Sequence, residues 1–290
     1  MKILVTGASG FIGRHLAEKL SERRDAVVYA LSRSQVSEEK KNLIPVLRDL
    51  TKEKWTEKLP SPVDVVIHLA QSRHHRDFPG GAGDMLRVNV VSTLQLLEWC
   101  RQNAVQRFLL ASTGNVYKPA DKLLEESDEC EPSSMYAASK LSAEFLAKQY
   151  GRYFDPVILR LFGVYGPRQK NMLIADLIDR IYTGRVITLA DNIGITMTPL
   201  YISDCLSLLE KMLDLSRRIQ GVFNLAGNEI INMGEMTHMI ASYLSRKPIL
   251  RQIEEPPRFL MGSNKKVCAA LMYTPSVSMA EGLKKIISSS

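Results

Sequence analysis

The sequence predicts an α/β fold: a doubly wound parallel sheet with a small, mostly helical C-terminal part. Three observations predict it. Short β-branched runs recur with helix-period stretches between them, the first run leads into a glycine-rich turn, and the alternation loosens after Pro167. The runs are Ile3-Leu4-Val5, Val27-Val28-Tyr29-Ala30-Leu31, Val65-Val66-Ile67, Phe108-Leu109-Leu110, Val157-Ile158-Leu159 and Val222-Phe223-Asn224-Leu225. Each has the length and composition of a buried strand. From Asp84 to Asn103, Leu86, Val90, Leu94 and Leu97 form the stripe of a helix packed on a sheet. Asn171–Thr183, Asn232–Tyr243 and Met279–Ile287 also read as helices, Pro256-Pro257 as a linker, and Ser288-Ser289-Ser290 as a frayed tail. The main region is expected at residues 1–165, with 190–225 returning to it, and the second part at 166–189 and 226–290.

At 290 residues and 45% apolar content the chain can bury a full core. The opening apolar run breaks at Thr6-Gly7, too early for a signal peptide or membrane span, so a cytoplasmic protein without a membrane partner is expected. Cys100, Cys130, Cys205 and Cys268 stand far apart, with no CxxC pair and no metal-ligand spacing, and read as reduced structural thiols with no metal bound. The net charge of +7 is spread among acidic residues without a like-charge block. That pattern fits an anionic small molecule and argues against nucleic acid as partner.

The first strand enters Thr6-Gly7-Ala8-Ser9-Gly10-Phe11-Ile12-Gly13, followed by a helix with Ile12, Leu16 and Leu20 on one face. Strand, tight turn and helix start together suit a dinucleotide pyrophosphate. Glycine lets the backbone approach it, and free N–H groups at the positive helix end meet its charge. Gly7, Ser9, Gly10, Phe11, Ile12 and Gly13 are therefore candidate cofactor residues, at GxxGxxG rather than GxGxxG spacing. The second strand ends Leu31-Ser32-Arg33-Ser34 with no carboxylate for a ribose 2′-hydroxyl. Ser32 and Arg33 thus predict NADP, Arg33 pairing with a 2′-phosphate. With Arg33 merely solvated, NAD is the alternative.

Tyr136 and Lys140 form YxxxK at the start of a helical stretch, an i,i+4 spacing that stacks them on one face. An ammonium beside a phenol favours the phenolate, so the Tyr136 pKa is expected to fall from about 10 toward the operating pH. The preceding strand ends in Ser112-Thr113-Gly114-Asn115-Val116-Tyr117, where ligands of open α/β sheets are held. Gln71-Ser72-Arg73-His74-His75 and Gly80-Gly81-Ala82-Gly83 read as mobile substrate-side loops.

Taken together, TGASGFIG, Asp49-Leu50, HLA at 68–70, Val88-Asn89, STGNVY at 112–117, YAASK at 136–140, LRLFGVYGPR at 159–168, YISD at 201–204 and the terminal LMYTPSVSMAEGLKKII resemble the extended short-chain dehydrogenase/reductases, specifically the nucleotide-sugar epimerase/dehydratase branch. The resemblance runs through nearly the whole chain. It implies a Rossmann fold with a C-terminal substrate domain, and a homodimer formed through helices. It also implies a catalytic set of Thr113, Tyr136 and Lys140: Thr113 bonds the substrate oxygen, Tyr136 exchanges the proton, and Lys140 also binds the nicotinamide ribose. Asp49 and Leu50 would flank the adenine and Leu69 and Ala70 line the cofactor, with Asn89, Ser112 and Phe162 also on its side. Gln71, Ser72, Thr113, Gly114, Asn115, Gly163, Asn171 and Met197 fall on the substrate side. His68 reads as a packed strand residue.

Departures limit this. Gly114-Asn115 stands where the family's dehydratases carry Asp-Glu, which disfavours 4,6-dehydration. Gly163 replaces an Asn, and Met197 an Arg, that commonly hold the diphosphate; losing a charge-assisted contact typically forfeits about 1.5–3 kcal/mol. Either Arg168, Arg251 or Arg258 substitutes, or the substrate lacks a diphosphate. The expected activity is hydride transfer at an alcohol or ketone carbon of a sugar or nucleotide-sugar, by an epimerase or a ketoreductase. The alternative is a redox-inactive NAD(P)-sensing protein on the same fold.

Overall fold

A computed structural model describes residues 1–34 and 41–288, so Ser289 and Ser290 of the tail lie outside the described residues. The elements run β1 (Lys2–Thr6), α1 (Phe11–Ser21), β2 (Val27–Ser32), β3 (Leu43–Leu47), β4 (Val65–His68), α2 (Ala82–Met85), a π-helical stretch Leu86–Val91, α3 (Ser92–Gln102), β5 (Arg107–Thr113), α4 (Met135–Gln149) and β6 (Asp155–Leu161). Then follow β7 (Val164–Tyr165), α5 (Leu173–Thr183), β8 (Ile187–Ala190), β9 (Ile195–Met197), β10 (Leu200–Tyr201), α6 (Ile202–Lys211), β11 (Gly221–Leu225), β12 (Ile231–Asn232), α7 (Met233–Tyr243), β13 (Leu250–Ile253), β14 (Arg258–Leu260), α8 (Lys265–Leu271) and α9 (Met279–Ser288).

Seven strands form one parallel sheet in the order β11-β6-β5-β4-β1-β2-β3. The order reverses at β1, whose neighbours are β2 and β4. Ligands of such sheets gather beyond the carboxyl ends of the strands at a switch of this kind. The predicted strands all form, and the sheet has the doubly wound architecture expected. Strand β3 carries Pro45 and two exposed apolar residues, Ile44 and Leu47, which suits its edge position. Leu4, Val66, Leu96, Leu97, Phe108 and Ile158 meet in the core on one side of the sheet. The helix expected from Asp84 to Asn103 is continuous from Ala82 to Gln102 but widens to π geometry around Asn89.

The chain divides into two compact units: Met1–Lys118, Glu129–Arg160 and Leu208–Phe223 in the first, Pro119–Asp128, Leu161–Ser207 and Asn224–Ser290 in the second. The first holds the glycine turn and Tyr136. Within it, Arg107 at the start of β5 is buried and donates to the carbonyls of Met212 (2.7 Å) and Asp214 (2.9 Å), which docks the 212–217 turn on the sheet. The second unit has three short sheets besides its helices. In it Asp204 accepts from Tyr273 Oη (2.7 Å), Ser276 N (3.0 Å) and Val277 N (2.9 Å), which joins YISD to the C-terminal motif. Asn232 and Glu235 close a capping box at the start of α7. Among the described residues the cysteines are free, no His/Cys/Asp/Glu group could hold a metal, and no helix is long and apolar enough to cross a membrane.

Candidate active site

Gly7 sits at φ +70°, and a Cβ there would lie 2.8 Å from the Ala70 backbone nitrogen. A Cβ on Gly13 would lie 2.2 Å from the Gly7 carbonyl. Glycine is thus required by close packing of β1, the turn and α1. Helix α1 begins after Gly10 with no side-chain cap and no acidic residue in its first turn. Its leading amides therefore remain available to an anion at the positive end of the helix. This cradle fits a dinucleotide pyrophosphate. Arg33 is exposed beyond the end of β2. The Asp49 carboxylate accepts from Thr51 N (3.0 Å) and Oγ1 (2.8 Å), bonds that hold its pKa down, with the charge of Arg33 adding to the effect. Leu50 and Ala70 are buried and Leu69 is half-buried.

Tyr136 and Lys140 lie in the first turns of α4, which Ser134 caps by accepting from Ala137 N. Thr113 ends β5 and receives two bonds on Oγ1, from Asn115 N (3.2 Å) and Asn115 Nδ2 (3.0 Å). Its own hydrogen is thereby left for Tyr136, with which it is hydrogen-bonded. The phenol in turn donates to Gln71 Oε1 at 2.9 Å. The expected fall in the Tyr136 pKa does not occur. Burial raises it to about 12, the Thr113 bond opposes the rise, and the Lys140 ammonium is not among the influences on it. Desolvation of a phenolate outweighs one donated hydrogen bond here. Lys140 is itself buried, which pushes its pKa down to about 8 against the charge of Glu144.

Glu144, one turn beyond Lys140, is buried and paired with buried Arg160 of β6: Nε to Oε1 at 3.0 Å and Nη2 to Oε2 at 2.7 Å. Ser112 Oγ donates to the same carboxylate at 2.5 Å. The guanidinium stacks 4.4 Å from the centre of the Tyr117 ring. Ser112, expected beside the cofactor, thus commits its hydroxyl to tying β5 to α4. His68 is the packed strand residue expected. It bonds Thr6 Oγ1 (2.7 Å) and Thr93 Oγ1 (3.0 Å), and burial, with the charge of Lys140, pushes its pKa down to about 3.

The sequence profile of the NAD dependent epimerase/dehydratase family matches residues 3–234. This chain belongs to that family. A Bacillus subtilis protein described as an uncharacterized UDP-glucose epimerase is 32% identical, over 98% of this chain and 96% of its own length. The crystal structure of UDP-glucuronic acid 4-epimerase from Bacillus cereus, in complex with UDP-glucuronic acid and NAD, superposes with a TM-score of 0.91 at 28% identity, covering 99% of this chain and 98% of the other. The Thermus thermophilus UDP-glucose 4-epimerase complexed with NAD gives 0.82 at 27% identity, covering 99% and 98%.

The remaining family positions divide between the two units. In the first, Asn89 is buried in the π stretch and bridges Ser72 N (2.9 Å) to Ser139 Oγ (2.9 Å). The loop at Gln71–Ser72, expected to be mobile, is anchored by that bond, and Ala82 and Gly83 begin α2 instead of forming a loop. Gly114 is buried and Asn115 exposed. In the second unit Gly163 has φ +61°, and a Cβ there would lie 2.2 Å from Met197 Cε, so the methionine fills the place beside it. Asn171 is exposed at φ +58°, and Phe162 is fully buried against Gly262. Reading the sequence missed Gln71 as partner of the phenol, and missed Glu144 and Arg160. Glu144 had a signal in its i,i+4 spacing from Lys140, and Arg160 in being a charge flanked by the apolar residues of a strand.

Lys140 yields a pH prediction. Its folded pKa of about 8 lies below its usual 10.5, so it is charged below about pH 8 in both states. Between those values the unfolded chain holds a proton that the folded one has released, and this residue makes stability rise with pH across that window. In NMR titration of labelled lysines, the resonance absent from Lys140→Met should move with a midpoint near 8. A midpoint at the ordinary lysine value would refute the burial account.

Proposed function

We propose that the chain is an NAD(P)-dependent UDP-sugar epimerase that oxidises and re-reduces one carbinol carbon, with Thr113, Tyr136 and Lys140 as its catalytic residues. The observation that carries this reading is the hydroxyl chain from Asn115 through Thr113 to Tyr136, one helical turn before buried Lys140, in the unit that also holds the glycine cradle. The first unit would bind the dinucleotide. Gly7, Ser9, Gly10, Phe11, Ile12 and Gly13 would hold the pyrophosphate. Asp49, Leu50, Leu69 and Ala70 would flank the adenosine side, and Lys140 the nicotinamide ribose. Arg168, Arg251 or Arg258 would supply the cation that Met197 lacks.

A nicotinamide held by these residues would supply the hydride acceptor and donor for the carbon, and its oxidised form would add positive charge to the site. Tyr136 Oη takes the proton of the substrate hydroxyl in the first half and gives it back in the second. Thr113 orients the substrate oxygen as it orients the phenol. Lys140, whose ammonium Glu144 helps to hold against burial, would bind the nicotinamide ribose. With its pKa raised to about 12, Tyr136 is a neutral phenol at ordinary pH, the form that would donate the proton to the ketone.

Tyr136→Phe should lower kcat by roughly 10²–10⁴-fold, the usual worth of a positioned acid/base, with cofactor affinity nearly intact. Turnover equal to the parent protein would remove the mechanism. An epimerase recycles its dinucleotide, so consumption of one reduced equivalent per product would instead indicate a ketoreductase.

Arg33 follows β2, whose end carries no carboxylate in sequence, and favours NADP, with Asp49 near enough to feel its charge; the solved relatives above hold NAD. Arg33→Ala should weaken NADP binding about tenfold or more while sparing NAD, as loss of a charge-assisted bond requires. Titration calorimetry showing equal affinities for both dinucleotides, or no change in the variant, would count against the preference.

The enzyme would act as a cytoplasmic homodimer. Leu86, Val91 and Leu94 on the helical run 82–102, and Phe145 on α4, leave apolar area exposed on helices that pack together. Leu94→Glu with Phe145→Glu should turn a dimer into a monomer by sedimentation. A parent protein that sediments as a monomer would oppose this assembly.

A further inference from the structure

Gln71 lies just beyond β4 and is exposed, yet its carboxamide oxygen accepts the hydrogen of the Tyr136 phenol at 2.9 Å. Thr113 has both acceptor sites filled by Asn115 and turns its hydrogen toward Tyr136. The one phenolic hydrogen therefore points to Gln71. The chain on either side of this contact is fixed. Ser72 is buried; its N–H donates to Asn89 Oδ1 at 2.9 Å, its hydroxyl donates to Asp84, and it receives the His74 N–H at 3.1 Å. Asn89 Nδ2 donates to Ser139 Oγ, which donates at 2.7 Å to the carbonyl of Tyr136 itself. A closed circuit thus runs from the tyrosine side chain through Gln71, Ser72, Asn89 and Ser139 back to the tyrosine backbone. From the same loop the His75 ring packs 5.5 Å from the Tyr136 ring, centre to centre.

We propose that Gln71 is a positioning residue for the reaction: it seats the Tyr136 hydroxyl in line with Thr113 until a substrate oxygen displaces it. This rests on the epimerase reading above. The seat lets the substrate meet a phenol already oriented, and the hydroxyl need only exchange one acceptor for another. It also explains why the loop is anchored at Ser72, since a free loop would let the phenol rotate. The groups facing the phenol are Gln71 and His75 from the loop, with Arg76 beside His75, and Thr113 from β5, while Lys140, one turn along the same helix, does not act on its ionisation.

Two substitutions test this. Gln71→Lys replaces the acceptor with an ammonium, which favours the phenolate, so the Tyr136 ionisation should move down by roughly one to three units. The phenolate ultraviolet band, assigned by subtracting the Gln71→Lys/Tyr136→Phe protein, reads this in the absence of substrate. Gln71→Glu keeps the shape and the acceptor and should shift the other way, giving less phenolate at a given high pH. Gln71→Ala should lower kcat/KM about tenfold with dinucleotide affinity unchanged, because the phenol is no longer seated when the substrate arrives. If the band stays put in folded Gln71→Lys and Gln71→Glu, or Gln71→Ala keeps the kcat/KM of the parent, the proposal is overturned. The band reports the contact whatever the reaction is, and only full activity of Tyr136→Phe would sink the parent reading instead.

Discussion

Arg160 and Glu144 place two opposite charges in the interior of the first unit, each hidden from water, and the geometry of the site depends on their meeting. Taking one charge out of water costs several kcal/mol, and removal of a single partner from such a pair typically costs about 3–5 kcal/mol. The carboxylate accepts from both the guanidinium and Ser112. Ser112 precedes Thr113 on β5, and Glu144 follows Lys140 by one turn of α4. The pair therefore fixes the end of the strand against the start of the helix, and with it the spacing of the three hydroxyl- and amine-bearing side chains.

The same desolvation decides protonation. A phenol pushed up to about 12 and an ammonium pushed down to about 8 both move toward their neutral forms, because burial penalises charge of either sign. Glu144 opposes the effect on Lys140 and Thr113 opposes it on Tyr136. Burial thus keeps the phenol protonated at neutral pH, while Lys140 retains most of its charge there.

The sheet and the glycine turn were legible because strand period, helix period and glycine spacing are local properties. The edge strand at Leu43–Leu47 was not, since Pro45 and its mixed exposure break the alternation. The short strands of the second unit are of two to four residues, below what periodicity can resolve. The π turn at Asn89 shifts the register of a helix whose apolar stripe looks ordinary. Tyr136 and Lys140 could be read from spacing, but the phenol's pKa moved opposite to the expectation because burial depends on the whole core. Gln71 reaches Tyr136 across 65 residues, and no pattern in either segment announces that bond.

The central claim is that hydrogen leaves and returns to one carbon as hydride while the proton passes through Tyr136. The most direct measurement follows a UDP-sugar deuterated at the reacting carbon. The account predicts a product epimer that retains the label at that carbon, with none gained from heavy water when an unlabelled sugar is used. Loss of the label to solvent, or its appearance from solvent, would mean that the carbon is deprotonated instead, and would contradict the account.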